Sequence, residues 1–335
     1  MAFERTSCQT AISPGADHSN DLQRKEQELI EMLASLDDVL VAYSGGVDSS
    51  LLAYYARKVL GARAKVVIAV SPSLAQEELT DARKQADAFG WELVEIGTDE
   101  VAKAEYQQND GQRCYFCKST LFEAMKAMAA REGFTNLAYG ANLSDMGDFR
   151  PGHRAAYEHR VLSPLKDAAL TKEEIRKLAA RAGLPSWDRP QSACLSSRFP
   201  TFEKVTPERL AKVEKAEERL HAMGFRQVRV RYHSIAGPLS ERSNAPSRAN
   251  DSSPEPKAQG NSPPSGDERC LARIELEQCE LKRLIDNPHL ASQIADELKQ
   301  IGFTFVTIDL EGYRQGSGNV IPVEIRSHGQ ANGQT

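Results

Sequence analysis

The sequence predicts an α/β fold: a doubly wound parallel sheet followed by a smaller α+β C-terminal domain. Three observations carry this. Short apolar runs, such as VLVAY (39–43) and KVVIAV (65–70), alternate with stretches of helical periodicity, as in a parallel sheet covered by helices on both faces. One strand-to-helix join, VAYSGGVDSSLLAYYA (41–56), is rich in glycine and hydroxyls. Beyond residue 200 the pattern changes to a charged helix and alternating strands, which marks a second domain.

Composition bounds the rest. A chain of 335 residues with 40% hydrophobic and 27% charged residues is ordinary globular protein, long enough for one large or two smaller domains. A formal net charge of -5 argues against a general nucleic-acid binder. No apolar run approaches the roughly 18 residues of a membrane span, and the N-terminus has no apolar segment typical of a secretory signal. The expectation is a cytoplasmic protein with no membrane and no nucleic-acid partner. In that setting six cysteines point to metal, cluster or catalytic thiol chemistry rather than a disulfide framework.

Taken in order, residues 1–21 are polar and aperiodic and read as a disordered tail. The spacing of Leu29, Ile30, Met32, Leu33 and Leu36 predicts an amphipathic helix over 22–36. A strand follows at 39–43, then a helix over 49–60, a strand at 65–70, a helix over 74–90 closed by Gly90, and a strand at 91–96. A helix over 118–132 and a strand at 136–140 continue the alternation. Thr171 and Glu174 form a capping box for a helix that Gly183 and Pro185 stop. The first domain therefore spans 22–200. The second, 201–325, contains a helix over 207–223, a strand at 227–233, a strand at 270–277, the end of a helix in ADELKQIGF, and a strand at 304–313. Residues 237–267 are Pro, Ser, Asn and Gly with almost no apolar side chains, and read as a disordered insertion. Looping it out would pair the two flanking strands as a hairpin. Residues 326–335 read as a tail.

The join SGGVDS is an anion site in its composition. Gly45 and Gly46 let backbone approach a ligand, and N–H groups of the loop and first helical turn point toward it. Ser44 and Ser49 add hydroxyls, with Val47 between them. Asp48 is the odd member: a carboxylate beside phosphates is repulsive unless a cation intervenes, so it implies Mg²⁺. The pattern lacks the Gly-Lys-Ser/Thr of the Walker loop and the GxGxxG of dinucleotide folds. It resembles the PP-loop of the ATP pyrophosphatases, the adenine nucleotide alpha hydrolase-like fold. That resemblance implies ATP cleaved between the α and β phosphates, with AMP passed to a substrate oxygen.

RCYFCK (113–118) sets Cys114 and Cys117 three residues apart at the start of a helix, where helix-terminal N–H groups, Arg113 and Lys118 favour thiolates. Cys194 lies in a separate stretch, SACLSSR. Three thiols with one open position suit an iron–sulfur cluster better than a closed zinc site. Cys8, Cys270 and Cys279 suggest no role, and His153, His159 and His233 form no ligand motif and read as surface or core.

The runs GANLSDMGDFRPGHRAA (140–156), SPLKDAALTKEEIRKLAARAGLPSWDRPQSACLSSR (163–198) and DLEGYRQGSGN (309–319) resemble the LarE family along nearly all of residues 22–319, the insertion excepted. The resemblance implies an ATP-dependent sulfurtransferase acting on pyridinium-3,5-biscarboxylic acid mononucleotide. Its product is a precursor of the nickel-pincer cofactor of lactate racemase. Cys194 then matches the sulfur centre. Cys114 and Cys117 match the members that hold a [4Fe–4S] cluster on three cysteines, with the sulfur source open. Arg229 and Arg231, sharing one strand face, become candidates for the substrate phosphate, and Arg198 for the adenylate or the substrate phosphate. Glu217 and Glu275 match acidic positions used for metal or substrate. The family's rings of six imply a homo-oligomer. Ala141, Ser196 and Gly318 depart from the family pattern. The rival reading is a tRNA-thiolating PP-loop enzyme, which would need a basic RNA-binding face.

Overall fold

The computed structural model describes residues 15–147, 151–189, 193–235 and 269–314. The chain divides into two compact units. The first comprises residues up to Tyr106 together with Gln112–Cys194, and the second Gln107–Gly111 together with the chain from Leu195 onward. The expected insertion at 237–267, the tail at 326–335 and Gly318 lie outside the described residues.

The first unit opens with helix α1 (Gly15–Ala34), so residues 15–21 of the expected disordered tail are helical. Strand β1 (Val39–Ala42) leads into α2 (Val47–Leu60), followed by β2 (Ala64–Val70), α3 (Gln76–Ala88) and β3 (Leu93–Gly97). A short helix α4 (Ala104–Gln107) precedes the long α5 (Arg113–Glu132) and strand β4 (Leu137–Tyr139). Helices α6 (Pro151–Glu158), α7 (Pro164–Asp167) and α8 (Lys172–Arg181) complete the unit.

The four strands pair in parallel in the order β3-β2-β1-β4. Alternate residues feed two cores. Val39, Val41, Val66 and Ile68 pack with α1, α2 and α8, while Leu40, Ala42 and Val67 pack with α5 and α6. Burying a side chain such as Leu51 or Phe122 completely contributes on the order of 1.5–3 kcal/mol. The strand order reverses at β1: the chain runs outward to β2 and β3, then returns to place β4 on the other side. The gap beyond the carboxyl ends of β1 and β4 is thus a topological switch point, where open α/β sheets bind ligands.

The second unit contains α9 (Pro207–Ala222), β5 (Val228–Ser234), β6 (Cys270–Leu276), α10 (Gln278–Ile285), α11 (Pro288–Ile301) and β7 (Phe305–Ile308). Its sheet has the order β5-β6-β7. β5 and β6 are antiparallel, with Arg229 opposite Glu275 and Arg231 opposite Arg273, the hairpin pairing expected from the sequence. Among the described residues no helix is long and apolar enough to cross a membrane.

Candidate functional site

The phosphate-loop candidates sit at the carboxyl end of β1. Gly45 has a φ of 76°, a left-handed conformation that glycine adopts without strain. Gly46 caps α2, which begins at Val47 rather than at Ser49, so Asp48 and Ser49 belong to its first turn. The N–H groups of that turn have no partner within the helix and are available to an anion. Hydroxyls brace the loop. The Ser44 amide donates to Ser49 Oγ at 3.1 Å, and the Ser49 and Ser50 hydroxyls donate to the Gly46 carbonyl at 3.0 and 2.8 Å. Gln85 of α3 holds Ser50 Oγ and the Tyr43 hydroxyl from behind, at 2.8 and 3.0 Å.

This loop forms one wall of a cleft of about 380 Å³ that also takes in Lys118, Tyr139, Gly140, Asn142, Asp145, His153 and Lys172. Gly140, directly after β4, allows the close approach. A Cβ there would lie 2.7 Å from the Ser49 nitrogen. Gly152 does the same for Lys118, because its missing Cβ would meet the lysine side chain at 2.7–3.1 Å. Lys118 Nζ rests 4.8 Å from the centre of the Tyr139 ring, and the Tyr139 hydroxyl is 2.9 Å from His153 Nδ1. Burial raises the Tyr139 phenol above its ordinary range. His153, read from sequence as a surface or core residue, therefore lines the cleft. Asn142 Nδ2 donates to Asp48 at 3.3 Å, and the Lys172 ammonium lies on the other oxygen of the same carboxylate. Asp48 and Asp145 both line this cleft, and as carboxylates they are the hard oxygen donors that could hold Mg²⁺.

The first two turns of α5 carry Cys114 and Cys117 four residues and one residue before Lys118, so the thiols and the cleft share one helix end. Cys114 is exposed, Cys117 and Cys194 are half-buried, and none of the described cysteines is in a disulfide. Burial pushes the Cys117 thiol well above its ordinary range. The charges of Glu100, Cys194 and Cys114 push the same way, against Lys118. Cys114 and Cys194 thus both act electrostatically on Cys117. Among the described residues, however, no three His, Cys, Asp or Glu side chains are gathered so as to hold a metal ion. The expected cluster ligands are neighbours without being a ligand set.

In the second unit the expected substrate residues form ion pairs with each other. Arg198 donates from both edges of its fork to Glu217, at 3.0 and 2.9 Å, and Arg231 does the same to Glu275. All four are buried. Glu217 also accepts from the Val230 amide at 2.9 Å, and Arg231 donates to the Ser197 carbonyl at 2.6 Å. Glu217 and Glu275, expected to hold metal or substrate, each hold an arginine in this structure. A buried carboxylate requires such a partner. Arg229 is only half-buried and lies over the Tyr313 ring at 5.5 Å.

Sequence reading missed Lys172, Asn142, Tyr139 and His153. The glycine at 140, following a strand predicted to end there, was the signal that pointed to a close approach.

Residues 24–139 match the NAD synthase family. The chain is 38% identical to the uncharacterized protein slr1717 of Synechocystis sp. over 89% of its own length and 98% of that protein. It is 30% identical to the pyridinium-3,5-bisthiocarboxylic acid mononucleotide synthase of Lactiplantibacillus plantarum, over 89% of this chain and 95% of that enzyme. The uncharacterized protein MJ0830 of Methanocaldococcus jannaschii is 26% identical over 82% of this chain.

Proposed function

Since the chain belongs to the LarE family of ATP-dependent sulfurtransferases, we propose that it converts carboxylates of pyridinium-3,5-biscarboxylic acid mononucleotide to thiocarboxylates through Cys194. The observation that carries this reading is the N-terminal end of α5, which brings Lys118 to the phosphate cleft and carries Cys117 and Cys114 one and four residues before it.

The residues divide the chemistry as follows. Ser44, Gly45, Gly46, Val47 and Ser49 cradle the departing pyrophosphate with backbone N–H groups and hydroxyls. Asp48 would hold Mg²⁺, which when bound neutralises phosphate charge. A substrate carboxylate oxygen attacks the α-phosphorus, the bond to the β-phosphate oxygen breaks, and an acyl-adenylate and pyrophosphate result. The adenylate turns an oxide into a leaving group that sulfur can displace. Without a cluster, the Cys194 thiolate attacks the carbonyl carbon and AMP departs; loss of the Cys194 α-proton to a base then expels the sulfur from Cβ, leaving a thiocarboxylate on the product and dehydroalanine at position 194. Arg229, half-buried on β5, is the cation proposed for the mononucleotide's phosphate, while Arg198 and Arg231 are held by Glu217 and Glu275 and brace the strands around it.

A [4Fe–4S] cluster is the finer part of the proposal: Cys114, Cys117 and Cys194 would hold it, and when bound it would supply a replaceable sulfide. Support for this is the placing of Cys114 and Cys117 on one helix end and the effect of both Cys114 and Cys194 on the Cys117 thiol.

Anaerobic purification with iron and sulfide analysis tests both levels, on the wild type and on Cys114→Ala. About four irons per chain, lost in the variant, is the result expected for the cluster. Iron-free protein that thiolates once and loses sulfur mass at Cys194 would overturn the cluster and keep the transferase. Thiolation that persists in Cys194→Ala would overturn Cys194 as the sulfur centre.

A further inference from the structure

Lys172 is assigned no role in the chemistry above, yet its ammonium sits on the carboxylate of the phosphate loop. Nothing about this placement is loose. Lys172 is the first residue of α8, and its backbone amide donates to Ser144 Oγ at 3.1 Å. The preceding Thr171 and the following Glu174 close a capping box, and Lys25 of α1 holds the Glu174 carboxylate at 2.8 Å. The helix end is pinned from both sides, whereas the long lysine side chain is 32% exposed. Asp48 keeps its other oxygen on Asn142.

A carboxylate in a phosphate cleft requires a cation, and one lysine cannot serve both the carboxylate and a polyanion once a divalent ion arrives with the nucleotide. The pair is easily broken, because part-exposed ion pairs contribute little net stability. Released from Asp48, the ammonium remains in a cleft that is bounded by the N–H groups of α2 and is about to fill with phosphate.

We propose that Lys172 is a placeholder cation. It neutralises Asp48 before nucleotide binds, yields that carboxylate to the divalent ion, and moves to a phosphate oxygen of ATP. This rests on the nucleotide reading of the cleft and assigns its counter-charge to a residue 124 positions away.

The test pairs two binding measurements on the full chain. Mn²⁺ alone, followed by electron paramagnetic resonance, reports access to Asp48; ATP with Mg²⁺, followed by calorimetry, reports phosphate contacts. In Lys172→Gln, Mn²⁺ without nucleotide should bind about two- to fivefold more tightly, the worth of a part-exposed ion pair. ATP with Mg²⁺ should bind about tenfold more weakly or worse, the loss of a charge-assisted contact. Lys172→Arg should restore most of the ATP affinity. Lys177→Gln, on an exposed position of the same helix, should change neither. Unchanged or weaker Mn²⁺ binding in Lys172→Gln would overturn the placeholder role, and unchanged ATP affinity would overturn the transfer to phosphate. A wild-type chain that binds no ATP would overturn the nucleotide reading itself, and this inference with it.

Discussion

Gly140 has no room for a methyl group. Its Cβ would lie 2.7 Å from the Ser49 nitrogen and 2.9 Å from both the Asp48 carbonyl carbon and Ser49 Cα, all of them backbone. Gly140→Ala must push the first turn of α2 away from β4. A cost of about 1–3 kcal/mol is expected from overpacking, read from the urea midpoint, with ATP affinity falling further than stability alone explains. Calorimetry checks the second part; unchanged ATP binding would mean that the loop tolerates displacement. Asp48 was legible in the sequence because it stands inside a contiguous phosphate motif. Its partners were not. Asn142 and Lys172 lie 94 and 124 residues away, and neither residue type is unusual at a loop or helix start. Arg198 and Arg231 were read as substrate cations, and the carboxylates that hold them as separate site residues. Two buried arginines must be matched by buried acids, and alternation along a strand cannot say which acids those are.

At the scale of elements, α8 shows how a local signal reaches the site. Thr171 Oγ1 accepts from the Glu174 amide, and the Glu174 carboxylate accepts from the Thr171 amide at 2.8 Å. Thr171→Ala should cost about 1 kcal/mol, measurable as a lowered thermal midpoint. Because Lys172 follows the cap, ATP affinity should fall in the same variant. The capping box was readable from residue types alone, since both arms lie within four residues. Strand β7 was not read as well. The sequence predicts it over 304–313, but it ends at Ile308. From Asp309 the chain turns: Gly312 donates to the Asp309 carbonyl at 3.1 Å with a φ of 70°, and Asp309 Oδ1 accepts from the Glu311 amide. Asp and Gly are turn residues for these reasons, and that signal outweighs the β-propensity of TFVTIDL. Helix α10 escaped sequence reading: its N-cap, Glu277, is not one of the residue types that mark a helix start.

At the scale of the whole molecule, each unit carries its own sheet and buried side chains, and acid should weaken the second through His233. This residue is half-buried on β5 and its Nε2 is buried without a hydrogen-bond partner. Burial lowers its pKa first, and the charges of Arg273 and Arg231 add to this against Glu203 and Glu275. The unfolded chain takes up the proton near the ordinary histidine value of about 6.5, while the folded chain takes it up only at lower pH. Between the two the unfolded state binds more protons, so stability falls as pH drops below about 6.5 and is unaffected above it. The effect should stay below about 1 kcal/mol once solvent screening is allowed for. The urea midpoint should decline from pH 7 toward pH 5, and decline less in His233→Gln; equal slopes would remove His233 as the cause. What the sequence by itself determined was the chemistry carried by neighbours along the chain: the phosphate loop, the CxxC turn, the capping box and the strand–helix alternation behind a parallel sheet. Anion binding by a helix start and the capping of that start act over a few residues, so a short stretch contains all their parts. Only the tertiary structure decided which distant side chains complete those parts. It placed Lys172 and Asn142 on Asp48, His153 and Tyr139 in the cleft, and Glu217 and Glu275 on the arginines. The physical reason is the reversal of strand order at β1, which brings the end of β4 and the start of α8 beside a loop about a hundred residues earlier in the chain.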